Sequence, residues 1–152
     1  MKPTDLIEHP EGGHYREMFR SHSLVGAGDR GQRAALTHIY FALAASEVSR
    51  FHRVKSDEVW NLYRGSGIRL HLWDGVSSSV QAIELSAAAN AFCCVVPAGV
   101  WQAAVPVDGP VLVGCTVAPG FEFEDFEMLQ AGSALAKELL QHHTELADLV
   151  LE

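Results

Sequence analysis

Between Leu36 and Val117 the chain is a train of short β-prone runs, none longer than a single strand, separated by turn signals. Leu36 to Leu43 alternates so that His38 and Tyr40 oppose Ile39 and Phe41, the period-two pattern of a half-buried strand. Further runs follow near 51–54, 57–64, 67–73 and 80–85, and then at Phe92 to Val96, Gln102 to Val105 and Val111 to Val117. Arg64-Gly65-Ser66-Gly67 and Asp74-Gly75 punctuate them, and Pro97-Ala98-Gly99 makes one more tight turn. Many short strands at regular spacing fold into a sandwich or a closed barrel. The expected class is all-β.

The flanks differ. Thr4 is placed to cap a short helix over Asp5 to Glu8, ended by Pro10 and the Gly12-Gly13 pair. His14 to Ser21 is an expected first strand, and the glycine-bearing Leu24 to Gln32 an expected loop. Phe121 to Glu124 alternates like a further strand. Ser133 opens a helical stretch with Leu135, Leu139, Leu146 and Val150 roughly on one face, and Thr144 starts a second short helix. This tail should cover one side of the barrel. With 152 residues, 48% apolar and 20% charged, no linker and no repeat, residues 1–152 read as one domain.

The net charge of −8 disfavours a partner read through its phosphates, so no nucleic acid is expected. No run approaches a membrane span and the N-terminus lacks a signal-peptide core, so no membrane partner is expected either. Cys93, Cys94 and Cys115 form neither a disulfide framework nor a zinc spacing. The expected location is cytoplasmic, with thiols serving as small core residues.

Strand parity places polar groups inside. If Glu58 points inward, so do Trp60 and Leu62, while Val59, Asn61 and Tyr63 point out; Gln102 and Ala104 share a face, with Trp101 at the rim. The inward set is His52, Glu58 and Gln102 beside Val54 and Trp60. A catalytic metal needs about three good ligands. His52 and Glu58 qualify, Gln102 is a weak donor, and no spacing argument brings in His14, His38 or His71. The expected site therefore holds no metal and no cofactor. In it His52 is a neutral general base, Glu58 its orienting carboxylate, and Tyr40 or Tyr63 an acid from the opposite side. Arg16, in the dense polar segment His9 to Glu17, is available for a ligand carboxylate or phosphate. His38, Trp60, His71, Trp101 and Gln102 complete the candidate ligand pocket. The plainer reading is that His52, Glu58 and Gln102 hydrogen-bond one another across a packed barrel.

The stretch His52-Arg-Val-Lys-Ser-Asp-Glu58 through Gly65 resembles the first motif of the cupin superfamily, G-x5-H-x-H-x3/4-E-x6-G, with Val54 where the second His would stand. Pro97-Ala-Gly99-Val-Trp-Gln102 resembles the second motif, P-x-G-x-x-H, with Gln102 in place of its His. His9-Pro-Glu-Gly-Gly13 with Tyr15-Arg-Glu17, Ile39-Tyr-Phe41, and Val113 to Phe126 extend the likeness to the small single-domain cupin_5 type, over residues 6 to about 128. The resemblance implies a double-stranded β-helix (jelly-roll) barrel with short N- and C-terminal helices, usually a homodimer, with a pocket in the barrel. Cupins of this shape resemble metal-free sugar-nucleotide epimerases that use a His base and a Tyr acid, a likeness of fold alone. Three functions compete. The first is a small polar metabolite, a sugar or sugar nucleotide, bound and isomerised without metal. The second is a metal-dependent enzyme using His52, Glu58 and Gln102. The third is binding without turnover.

Overall fold

The computed structural model describes residues 3–152. Thirteen strands build it. The first eight are β1 (Ile7–Glu8), β2 (His14–Arg20), β3 (Leu24–Gly26), β4 (Gln32–Ala34), β5 (Thr37–Leu43), β6 (Ser49–Val54), β7 (Asp57–Arg64) and β8 (Gly67–Trp73). They are followed by β9 (Gln81–Ser86), β10 (Cys93–Val96), β11 (Trp101–Val107), β12 (Val111–Ala118) and β13 (Phe126–Met128). Two antiparallel sheets face each other, six strands in the order β1-β2-β5-β12-β7-β10 and five in the order β13-β6-β11-β8-β9. Neighbours distant in sequence pair side by side, as β5 with β12 and β6 with β11, which is the jelly-roll winding expected from the turn spacing.

Alternation along each strand sorts the side chains into two cores. Phe41, Trp60, Leu70, Val113 and Cys115 fill the space between the sheets. Phe51, Trp73, Trp101 and Ala103 point the other way and are covered by the tail, helix α1 (Ala134–His142) and a 3-10 turn over Thr144–Leu149. Ser133 caps α1 by accepting a hydrogen bond from Ala136 N–H at 3.1 Å. Leu139, Leu146 and Leu149 are buried against that sheet, each contributing roughly 1.5–3 kcal/mol. The second core thus needs the tail.

Three local expectations are corrected. Asp5 to Glu8 is not a helix: Ile7 and Glu8 pair with Tyr15 and His14, so the residues before Pro10 serve as an edge strand. Leu24 to Gln32 is not all loop, because β3 and β4 pair as a small hairpin around a 3-10 turn at Gly28–Arg30. Phe121 to Glu124 is not a strand. Phe123–Asp125 forms a 3-10 turn, and the strand begins only at Phe126. The turn is held by Asp125, which accepts from Arg33 at 2.9 and 3.0 Å and from Arg30 at 3.0 Å. A buried bidentate pair outweighs the weak strand alternation.

Candidate functional site

The polar centre of the barrel is assembled from β6, β7, β11, β12 and the β1–β2 turn. That turn carries His9-Pro10-Glu11-Gly12-Gly13 and packs hard on the start of β6. Gly12 has φ +114, and a Cβ there would collide with the Val48 carbonyl oxygen. Only glycine lets the turn approach so closely. Arg50 N–H donates to the Glu11 carbonyl at 2.7 Å, which locks the turn on the strand and aims the Glu11 carboxyl inward.

Glu11 is 6% exposed and its partners are specific. Ser49 Oγ donates to Oε1 at 3.0 Å, and His52 Nε2 lies 3.0 Å from Oε2. His52 is 2% exposed, and its other ring nitrogen, Nδ1, donates to the Arg50 carbonyl at 2.7 Å. Both imidazole nitrogens therefore face acceptors, an arrangement satisfied when both carry protons. Burial opposes a charged ring, but the Glu11 carboxylate outweighs it and the His52 pKa is raised. Burial likewise opposes the Glu11 carboxylate, yet His52, His9 and the Ser49 hydroxyl hold its pKa below the usual range. The pair is an imidazolium on a carboxylate. His52 rests as an acid, the reverse of the neutral base expected from sequence.

Glu58 approaches from β7. Burial pushes its pKa up to about 7, Glu11 adds to the rise, and His52 with the Gln102 and Cys115 hydrogen bonds restrains it. Gln102 Nε2 donates to Glu58 Oε1 at 2.9 Å, and Gln102 Oε1 accepts from Trp60 Nε1 at 2.7 Å. Indole N–H can only donate, so it fixes which end of the amide faces Glu58. Glu58 thus orients on Gln102, and the partner that orients His52 is Glu11. His9 completes the group. Its Nδ1 accepts from Glu11 N–H at 3.2 Å, and burial lowers its pKa, so it is neutral. Its ring meets Tyr15 edge-on, with centroids 4.7 Å apart.

A cavity of about 30 Å³ lies among these groups, lined by His9, Glu11, His52, Glu58 and Cys115 and closed by Tyr15, Phe121 and Phe126. One water needs at least about 10–15 Å³ of such space. The closed site therefore takes a functional group, and a whole metabolite needs the aromatic side to give way.

The structure brings together His52, Glu58, Trp60 and Gln102 and leaves the other six candidates elsewhere. Tyr40, Tyr63 and His38 lie on the outer face of the six-stranded sheet, because they have the opposite parity to Phe41, Trp60 and Cys115. There Tyr63 Oη hydrogen-bonds His38 Nε2 at 2.9 Å, and His38 Nδ1 hydrogen-bonds Thr116 Oγ1 at 2.8 Å. A phenol behind the sheet cannot act as the acid opposite His52. Arg16 is on the same outer face, 3.2 Å from the Thr4 carbonyl and 3.7 Å from Asp5. His71 and Trp101 belong to the five-stranded sheet's tail-covered side, where the Arg53 guanidinium sits 4.5 Å above the Trp101 ring. His9, Glu11 and Cys115 were missed as site residues. The signal for the first two was the Gly12-Gly13 pair, which makes a turn tight enough to push its preceding polar residues inward.

The cupin motif places metal ligands where this chain has His52, Val54, Glu58 and Gln102. Val54 offers no donor atom, both ends of the Gln102 amide are engaged, and His52 presents N–H at both nitrogens. Among the described residues no group of three His, Cys, Asp or Glu has metal-binding geometry. The residues do not fit the ion.

Residues 1–129 match the family model described as Cupin_5, cupin superfamily (DUF985). A hypothetical protein from Leishmania major superposes with TM-score 0.86 and 28% identity, over 97% of this chain and 94% of that one. Protein SO0799 from Shewanella oneidensis gives TM-score 0.83 and 33% identity, over 97% and 92%. KdgF from Halomonas sp. shares the fold alone, with TM-score 0.57, 15% identity and coverage of 79% and 90%. No curated protein sequence matches. No helix among the described residues is long and apolar enough to cross a membrane. With the family model spanning most of the chain and a jelly-roll barrel beneath it, the protein belongs to the Cupin_5 (DUF985) family of the cupin superfamily.

Proposed function

We propose that the barrel binds a small polar carbonyl metabolite and isomerises or epimerises it by proton transfer. The observation that carries this reading is two buried carboxyl groups set differently around one histidine at a cavity. Glu11 lies 3.0 Å from His52 Nε2 and is held low by it, while Glu58 accepts from Gln102 at 2.9 Å and burial pushes it up to about 7. Environments that drive paired titratable groups apart assign acid and base roles. Glu58, as the carboxylate, takes the proton from the carbon next to the carbonyl. His52 gives its Nε2 proton to the carbonyl oxygen, so an enol forms with no net change of charge in substrate. Glu58 then returns the proton to the former carbonyl carbon while neutral His52 takes the proton of the neighbouring hydroxyl, which shifts the carbonyl by one carbon and gives the isomer. An epimer forms when the same enol is reprotonated on its opposite face. Glu11 stabilises the imidazolium and holds the ring, while Gln102 and Trp60 hold Glu58. Hydrogen–deuterium exchange at carbon, followed by NMR across a panel of carbonyl sugars in D2O, tests the reading. Enzyme-dependent exchange that Glu58→Gln abolishes is expected; exchange unaffected by that change would sink it.

Binding without turnover is the second reading, favoured by the small closed cavity. Saturable binding with no exchange would select it. The protein is read as a cytoplasmic homodimer, supported by the exposed Met18, Phe19 and Tyr63 on the six-stranded sheet. Sedimentation velocity tests the pairing.

A further inference from the structure

Beyond the residues that close the cavity lies a separate vestibule of about 180 Å³, and Tyr15, Thr37, Ile39 and Phe121 form the wall between the two. The cation in that vestibule is Arg20, and it is already committed. Its Nε and Nη2 donate to Glu17 Oε1 at 3.1 and 2.7 Å, Nη1 donates to Glu122 Oε1 at 2.9 Å, and Nη2 also donates to the Phe121 carbonyl at 3.1 Å. Four of these bonds occupy a side chain with five N–H groups. Two carboxylates surround the one guanidinium, so an incoming phosphate meets net negative charge and finds its natural partner engaged. Below it lie Glu11 and Glu58, two more carboxyl groups. Arg30 and Arg33 are matched by Asp125 and Glu124, so although Arg33 also interacts with Glu122 the mouth keeps its negative excess. A neutral polyhydroxy compound escapes this repulsion: its hydroxyls donate to Glu17 and Glu122, and its C–H faces pack on Phe121 and Phe123, whose rings stand 5.0 Å apart at 83°.

We infer that this site selects neutral polyhydroxy carbonyl compounds over phosphate esters and sugar nucleotides. The inference names the ligand class for the proton-transfer reading above, but its test needs no turnover. Cys115 lines the cavity and serves as a reporter, with exposed Cys93 as the control thiol in the same chain. Three methanethiosulfonates of similar size are used: 2-hydroxyethyl, 2-aminoethyl and 2-sulfonatoethyl. In each, the cysteine sulfur forms a disulfide to the reagent as methanesulfinate leaves, and peptide mass mapping follows both cysteines. With rates at Cys115 divided by those at Cys93, the hydroxyethyl reagent should lead the sulfonate by about tenfold or more at low salt. Glu17→Gln combined with Glu122→Gln frees Arg20, and the sulfonate should then come within about threefold of the neutral reagent. Equal sulfonate and hydroxyethyl rates in the native protein would overturn the inference. So would an aminoethyl rate below the hydroxyethyl one, the reverse of what a net negative mouth gives, or no labelling of Cys115 by any reagent. Loss of exchange activity alone, with this ranking intact, would remove the proton-transfer reading and leave the selectivity standing.

Discussion

The two faces of the six-stranded sheet carry nearly the same chemistry in different settings. Against its inner face, His52 of the facing five-stranded sheet contacts Glu11 at 3.0 Å, with Glu58 and Cys115 of the six-stranded sheet alongside. On the outer face His38 contacts Tyr63 at 2.9 Å and Thr116 at 2.8 Å, with Tyr40 alongside. Each histidine has both ring nitrogens engaged. The inner one faces two acceptors and is driven to carry charge; the outer one faces a phenol and a hydroxyl, and burial lowers its pKa. Tyr63 is 46% exposed, so water competes for its hydroxyl. Hydrogen-bond polarity and burial, more than residue type, decide which histidine can do proton chemistry.

The sharpest way to break that contrast is Glu58→Gln. It keeps the shape and a hydrogen-bonding partner for Gln102 but removes the titrating oxygen, and carbon-bound proton exchange should fall by ~10²–10⁴. Tyr63→Phe in the same assay should leave the rate unchanged, and a comparable loss would show that the outer face takes part. Next in size is Glu11→Ala, which strands a buried imidazolium; urea unfolding should report a loss of roughly 3–5 kcal/mol.

The pH dependence sharpens the comparison further. The folded pKa of Glu58, about 7, lies above its unfolded value near 4.5, so between these values the folded chain binds more protons. Its contribution to stability is present below about pH 4.5 and is lost as pH rises through about 7, a change of about 3 kcal/mol. Subtracting the Glu58→Gln denaturation curve from the native one isolates this slope from Glu11, whose lowered pKa acts in the acid range. A difference curve flat from pH 4.5 to 7 would mean that Glu58 titrates normally. Exchange activity should rise over the same upper limb as Glu58 ionises. The smallest effect is expected outside: Tyr63→Phe removes one half-solvated hydrogen bond and should cost about 0.5–1.5 kcal/mol at most.

Much of the barrel was legible because strand parity is a local property. Trp60 and Gln102 share the inner side with Glu58, as counting by two requires, whereas Trp101, expected at the rim, is buried under the tail. The same parity puts Tyr63 on the outer face, and pairing with β12 keeps it there, so it cannot serve as the acid for an inward-pointing His52. The N-terminal errors have another origin. Ile7 and Glu8 have no strand pattern long enough to read, and their conformation comes from pairing with β2. The Phe123–Asp125 turn depends on Arg33, 92 positions away from Asp125 in sequence, which no window along the chain contains.

By itself the sequence determined the central strands of the barrel, their facing and the presence of His52, Glu58 and Gln102 inside it. These follow from period-two burial and from turn residues whose backbone preferences are local. Tertiary structure alone decided the protonation of the site. Glu11 reaches His52 across 41 residues of chain only because Gly12 lets one turn press against β6, and that contact turns an expected base into an acid. Charge in a buried site depends on distance and desolvation, and both exist only once the chain has closed on itself.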